Sequence, residues 1–311
     1  MKKISILVPC YNEEQVLPLF IAALKPTISN SHYEWEVILI DDGSSDATLS
    51  IMQHAHEENA QINYLELSRN FGKESALLAG LDSMTGDAVI IMDADLQHPV
   101  SVIPELIKQW EAGYDDVYAR RLARGKESVM RHILTRCYYH LLQTSSSINV
   151  YPNVGDFRLL DKSCISALRT MRETNRYTKG MYAYIGFRKT YVDFVQEERA
   201  AGNSKWGFWK LFRLAMNGLL SSSIKPLQIS TKIGLTVSFV AFLYLIYVFF
   251  KALLYGDPVR GYPTIIIAIL FLGGLQLISI GMLGEYIGRI FYESKHRPSY
   301  FIRTYNGKKL E

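Results

Sequence analysis

Two carboxylates two residues apart, Asp93 and Asp95, follow the apolar run Ala88-Val89-Ile90-Ile91-Met92, and Gln97 stands two residues further on. Alternate residues of an extended segment project the same way, so three oxygen-bearing side chains share one side. Oxygen donors of this kind suit a hard cation, Mg²⁺ or Mn²⁺, held by one or two carboxylates and completed by substrate phosphates. A bare D-x-D arises by chance in many proteins. Here a second acidic pair, Asp41-Asp42, ends another apolar run, and the coincidence points to a metal–diphosphate site. Asp41 or Asp42 could instead accept hydrogen bonds from a nucleotide's base or ribose. Ser44, Ser45 and Asp46 read equally well as a turn and helix cap. Arg69 and Lys73 bracket a Gly-containing helix start, where charge and backbone N–H groups can meet phosphate.

The elements that must position these residues are legible from residue 3 to about 120, where short β-rich runs alternate with helix-length segments as parallel βαβ units do. Strands are expected at Ile4–Val8, Glu36–Ile40, Asn63–Leu67, Ala88–Met92 and Val117–Ala119, and helices around Glu14–Ile28, Ala47–Glu58, Lys73–Met84 and Ser101–Glu111. The first four strands empty into polar loops at their C-terminal ends. In an open parallel sheet ligands bind beyond those ends, so the four loops should line one crevice. There is no G-x-x-x-x-G-K-[ST] and no G-x-G-x-x-G, so a P-loop nucleotidase and a nicotinamide enzyme both lack their central device.

Composition limits the alternatives. The 311 residues are 49% hydrophobic and 21% charged, which excludes a disordered chain or a disulfide scaffold. Bases exceed acids by four, and residues 289–311 alone hold six bases against two acids, so the rest is balanced and a nucleic-acid surface is unsupported. Cys10, Cys137 and Cys164 are widely spaced and read as reduced thiols facing a cytosol. Lys2-Lys3 before Ile4-Ser5-Ile6-Leu7-Val8 imitates a signal peptide, but the apolar run is too short, and a cytosolic N-terminus is expected.

Toward the end of the chain hydrophobicity concentrates. Ile233–Leu254 carries one charge, Lys251, and Thr264–Gly284 carries none; each matches the ~20 residues that cross a bilayer. The turn between them, Tyr255 to Pro263, has one base against six in the tail, which places both ends of the hairpin in the cytoplasm. Ser204–Leu220, rich in Trp, Phe and Leu beside Lys205, Lys210 and Arg213, reads as an amphipathic helix at the membrane surface or as a helix of the domain core.

Val8-Pro9-Cys10-Tyr11-Asn12-Glu13-Glu14, Ile40-Asp41-Asp42-Gly43-Ser44-Ser45-Asp46, Arg69-Asn70-Phe71-Gly72-Lys73-Glu74 and Asp93-Ala94-Asp95-Leu96-Gln97-His98-Pro99 together resemble the family 2 glycosyltransferases with a GT-A nucleotide-sugar domain. Gly155-Asp156-Phe157-Arg158, Tyr177-Thr178-Lys179-Gly180-Met181, Glu198-Arg199-Ala200-Ala201-Gly202-Asn203-Ser204-Lys205-Trp206, the hairpin and Arg297-Pro298-Ser299-Tyr300 narrow the resemblance. They are similar to polyprenyl-phosphate glycosyltransferases, closest to bactoprenol-phosphate glucosyltransferases and more distantly to dolichol-phosphate mannose synthase.

The resemblance implies an α/β fold: a cytosolic GT-A (Rossmann-like) domain over 1–203, an amphipathic juxtamembrane segment over 204–232, a two-helix transmembrane hairpin over 233–288 and a basic cytosolic tail over 289–311. It implies that Pro9, Tyr11, Glu13, Asp42, Lys73 and Asp93 bind the donor, that Asp93, Asp95 and Gln97 surround Mg²⁺ or Mn²⁺, and that Asp156 lies near sugar and acceptor. Asp95 and Asp156 are thus expected in catalysis together with Arg199 and Lys205, which would meet donor or acceptor phosphates. Arg124 and Arg131, in a poorly patterned stretch, are the candidates for the lipid phosphate. The partners implied are a nucleotide-sugar, first UDP-glucose, a polyprenyl phosphate, the lipid bilayer of a bacterial inner membrane, and a downstream flippase and second glycosyltransferase. Homo-oligomerisation is open, because Gly273, Gly274, Gly281 and Gly284 suit close helix packing between or within copies.

A polyprenyl phosphate is already an anion at neutral pH, so transfer needs no strong base. Direct displacement with inversion is expected. Two rivals stand beside this reading: a processive polysaccharide synthase, although no Q-x-x-R-W occurs, and a non-catalytic membrane scaffold on a transferase fold.

Overall fold

The computed structural model describes residues 1–29, 32–122, 154–174, 176–195, 225–255 and 261–309. The chain forms two units, one of Met1–Arg213 with Arg297–Glu311 and one of Leu214–His296. Arg124, Arg131, Cys137, Arg199, Lys205 and the expected amphipathic stretch Ser204–Leu220 lie outside the described residues.

The first unit is built on one sheet of eight strands. Its first half follows the apolar runs: β1 (Lys3–Cys10), α1 (Leu17–Ser29), β2 (Glu34–Asp41), α2 (Thr48–Glu58), β3 (Ile62–Leu67), α3 (Lys73–Ser83), β4 (Ala88–Ile91), α4 (Ile103–Glu111) and β5 (Asp116–Arg121). Strands β4, β1, β2 and β3 are parallel neighbours in that order. They are covered on both faces, which is why their sequences are continuously apolar rather than alternating. Ile4, Ile6 and Val8 face a core with Leu17, Phe20, Met52 and Trp110, while Leu7 faces the opposite core with Ile38, Ile40, Leu65 and Leu77. Helix α3 lies flush on the second face: a Cβ on Gly80 would stand 2.5 Å from Ile40 Cδ1.

The second half departs from a purely parallel sheet. The sheet order is β7-β5-β6-β4-β1-β2-β3-β8. Strand β6 (Val154–Asp161) lies antiparallel between β4 and β5. Helices α5 (Lys162–Thr170) and α6 (Thr178–Tyr184) follow, and β7 (Lys189–Phe194) pairs parallel with β5. Part of the segment expected as a basic tail is corrected to structure. Residues Ile302–Tyr305 form β8, antiparallel to β3, and Arg303 is paired with Glu66 at 3.0 Å. Tyr64 N–H donates to Asn306 Oδ1 at 2.9 Å, and Tyr300 Oη donates to Asp82 at 2.6 Å, so the edge is held by side chains as well as by the ladder.

The second unit consists of α7 (Lys225–Tyr255) and α8 (Tyr262–Ser294). They pack against each other, with Ser230 Oγ and Ser279 Oγ 2.8 Å apart. Leu235, Phe239, Leu243, Tyr247, Phe250 and Leu254 of α7 and Ile269, Phe271, Leu277 and Ile280 of α8 are exposed. Within α8, Phe271–Ser294 is by length and composition sufficient to cross a membrane. The helix runs ten residues past Gly284, where the apolar run was expected to end.

Candidate active site

The loops beyond β1, β2 and β3 are stitched to one another by short polar side chains. Asn12, at φ 55°, turns the chain out of β1. Its N–H donates to Ser44 Oγ at 3.0 Å, and its Oδ1 accepts from Ser45 N–H at 2.9 Å. Glu13 N–H donates to Thr48 Oγ1 at 2.8 Å. Asp46 accepts from Thr48 N–H at 3.0 Å at the start of α2. The buried Asp42 carboxylate accepts from Phe71 N–H at 2.7 Å and Gly72 N–H at 2.9 Å, fastening the β2 loop to the loop before α3. The fit is close, since a Cβ on Gly43 would lie 2.6 Å from the Arg69 carbonyl carbon. Burial raises the Asp41 and Asp42 carboxyls above their ordinary values despite these N–H donors.

That fastening aims Lys73, the first residue of α3, at the end of β4. Its ammonium lies 2.5 Å from Asp93 Oδ1 and 2.9 Å from Asp156 Oδ2. The two carboxylates come from opposite strand directions: Asp93 follows the end of β4, and Asp156 sits near the start of the antiparallel β6. Partial desolvation works against the Lys73 ammonium, yet Asp156 and then Asp93 raise it above the ordinary lysine range. Asp156, 14% exposed in its side chain, feels burial first, but Lys73 and Lys179 hold it well below the usual carboxylate range. Arg158, two residues along β6, pairs with the buried Asp116 at 3.1 Å and stacks over Tyr182, and among the described residues the ion-pair partner of Asp156 is Lys73.

Asp93, Asp95 and Gln97 share a half-buried loop, bent at Leu96 (φ 58°), where Asp95 Oδ1 accepts from Gln97 N–H at 3.1 Å. Among the described residues no three His, Cys, Asp or Glu side chains gather into a metal cage. Two carboxylates and an amide oxygen on one loop fit a hard cation that takes its other ligands from water and diphosphate. Pro9 lies at the end of β1 opposite Ile40. Tyr11 is exposed on the adjoining loop and Glu13 half-buried on it.

Several contributors carry no role in the sequence reading. His98 is buried and stacked on Phe157 (ring centroids 4.8 Å apart), and its Nδ1 accepts from Asp93 N–H at 3.2 Å, supporting the acidic loop from below. Burial lowers its pKa and favours the neutral ring that can accept that bond. Glu74 and Lys179 stand in motifs already noted, but nothing local signals that their charges act on Asp156, because the three residues belong to α3, α6 and β6.

Residues 5–169 match the model of glycosyl transferase family 2, and residues 225–290 match that of the GtrB C-terminal hairpin. A bactoprenol glucosyl transferase of Shigella phage SfV is 44% identical over 97% of this chain and 98% of its own. A prophage bactoprenol glucosyl transferase homolog of Escherichia coli K12 is 43% identical over the same shares. Among solved structures, glucosyl-3-phosphoglycerate synthase from Mycobacterium tuberculosis in complex with Mg²⁺ and uridine-diphosphate superposes with TM-score 0.52 at 20% identity, covering 71% of this chain and 79% of that one, a likeness of fold.

Proposed function

The chain belongs to glycosyl transferase family 2, and from that premise we propose that it transfers one glucose from UDP-glucose to a polyprenyl phosphate at a membrane surface, with inversion. The observation that carries this reading is that the identity to bactoprenol glucosyl transferases extends over 97% of the chain, through the transferase unit and the helical hairpin alike. A hairpin with exposed apolar side chains is what a cytosolic sugar-transfer domain needs if its acceptor has an isoprenoid tail.

The site geometry supports a positioning mechanism. Asp156 is held so far below the usual carboxylate range by Lys73 and Lys179 that it is a poor proton acceptor at neutral pH. A phosphate nucleophile needs no such base, so Asp156 serves to orient the sugar or the acceptor. Lys73 fixes Asp156 relative to Asp93, linking the acceptor side of the site to the diphosphate side. Asp93, Asp95 and Gln97 would hold Mg²⁺ or Mn²⁺, which when bound supplies positive charge to the departing diphosphate. Pro9, Tyr11, Glu13 and Asp42 are assigned to the nucleotide side, Asp42 in addition to its loop-fastening role. Arg199 and Lys205 are assigned to phosphates, and Arg124 and Arg131 to the lipid phosphate.

The test uses the full chain in membranes with labelled UDP-glucose and undecaprenyl phosphate. A lipid bearing a single glucose is the expected product. A long polymer would make the chain a processive synthase, and no transfer from any of a panel of nucleotide-sugars would make it a scaffold.

A further inference from the structure

The residue next to Lys73 makes a contact that the reaction as described does not use. Glu74 Oε2 accepts from Thr178 N–H at 3.3 Å and from Thr178 Oγ1, and Thr178 is buried. Glu74 belongs to α3 and Thr178 opens α6, 104 positions later, so this pair joins two elements from distant parts of the sequence. Tyr177, which precedes Thr178, provides no side-chain hydrogen bond to the start of α6, so Glu74 takes a backbone donor that the helix leaves open. Each element carries a lysine directly beside the contact: Lys73 before Glu74 and Lys179 after Thr178. Both lysines act on Asp156, Lys73 through an ion pair of 2.9 Å and Lys179 as the next positive charge. On the far side of the contact, Met181 and Tyr182 anchor α6 in the core that also holds Ala76 and Leu77 of α3, so the tie is backed by packing.

We propose that Glu74 is a positioning residue for the transfer reaction: by accepting the Thr178 hydroxyl and N–H it locks α3 to α6 and so fixes Lys73 and Lys179 about Asp156. The proposal rests on the reading of Asp156 as the carboxylate that orients sugar or acceptor. What the tie requires is an acceptor oxygen at this place, not a negative charge. A glutamine keeps that oxygen, an alanine does not, and the two substitutions separate a hydrogen-bonding role from an electrostatic one.

The experiment takes Glu74→Ala, Glu74→Gln, Thr178→Val and Thr178→Ser in the full chain and measures two things. The first is amide hydrogen exchange of residues 178–184, which reports the tie whatever the protein catalyses. The second is kcat and donor KM for transfer from UDP-glucose to undecaprenyl phosphate. Glu74→Ala and Thr178→Val should each speed exchange in that segment and lower kcat by about 10-fold or more, with donor KM within about 3-fold of the parent. Glu74→Gln and Thr178→Ser should restore both readouts to within about 3-fold. Unchanged exchange and turnover in Glu74→Ala would overturn the proposal, as would a Glu74→Gln variant as impaired as the alanine. A loss confined to donor KM would reassign Glu74 to donor binding. Should Glu74→Ala fail to fold, the nearly isosteric Thr178→Val decides. If the parent itself transfers nothing, the functional reading fails, while parent-like exchange in the alanine variant still refutes the tie on its own.

Discussion

Asp93 and Asp156 meet through one ammonium group, and the consequences differ for the residues around them. Asp95 shares the loop with Asp93 and stands two residues on, half-buried, and under the proposed function its charge would serve the cation and diphosphate rather than packing. Asp95→Asn is therefore expected to leave a folded protein with turnover reduced by about 100-fold or more, and excess EDTA should abolish transfer by the parent; the check is thermal unfolding beside single-turnover transfer. Parent-like turnover in Asp95→Asn, or full activity in EDTA, would remove the metal assignment. Glu74 supplies a pH dependence. Burial, and next the charge of Asp156, push its carboxyl from 4.5 up to about 7 against Lys73, the Thr178 N–H and Arg176. Between those values the native chain holds a proton that the unfolded chain has lost, so stability falls as pH rises through this window. Below it both states are protonated and the effect vanishes. Glu74→Gln should thus match the parent in thermal stability near pH 4.5 and exceed it above pH 7 by roughly 1–3 kcal/mol. A variant equally stable to the parent at both ends would show that the carboxyl does not titrate in this range.

At the scale of elements, the site depends on loops being fastened to one another before any substrate arrives. Gly43 sits at φ +70°, and a Cβ there would meet the backbone of Arg69 and Asn70 at 2.6 Å. Neither backbone atom can step aside without moving the loop that Asp42 holds and that leads into Lys73. Gly43→Ala should cost roughly 2–4 kcal/mol of stability and weaken UDP binding, measured by thermal unfolding and calorimetry; parent-like values for both would mean the loops are not coupled. These elements were unequally legible. Strands β1 to β4 stand out because burial on both faces writes each of them as an unbroken apolar run, and the acidic pairs at the ends of β2 and β4 follow directly. The insertion of β6 between β4 and β5 is not written locally, since its antiparallel register depends on pairing with strands on both sides. Ile302-Arg303-Thr304-Tyr305-Asn306 reads as basic tail because the stabilising partners, Glu66 of Arg303 and Asn63 of Asn306, lie more than two hundred positions away. The same distance problem hides the meeting of Lys73 with Asp156. Residue types announced the chemistry, whereas long-range pairing decided which carboxylate faces which cation.

The whole molecule is constrained by where the chain leaves and re-enters its first unit. The transferase unit ends at Arg213 and resumes at Arg297, and β8 then pairs with β3, Leu65 opposite Tyr305. A chain that crossed a bilayer once in the interval would strand β8 on the far side from the strand to which it is hydrogen-bonded. Any crossing must therefore be made an even number of times. The intervening helices α7 and α8 have 31 and 33 residues, each about 45–50 Å long at 1.5 Å per residue, more than the ~30 Å of a hydrocarbon core. Two crossings joined by residues 256–261 would satisfy the constraint, and the single base of that stretch, Arg260, against six in residues 289–311 predicts their direction. With Cys10, Cys137 and Cys164 replaced, a cysteine introduced at Asp257 should react with an impermeant thiol reagent added to intact cells, and one at Lys308 should react only after the membrane is permeabilised. Labelling of both positions in intact cells would break the two-crossing hairpin, and labelling of position 308 alone would reverse the placement of the transferase unit. Labelling of neither would mean that the helices lie along the membrane surface without crossing it, a zero count that the pairing of β8 with β3 also permits.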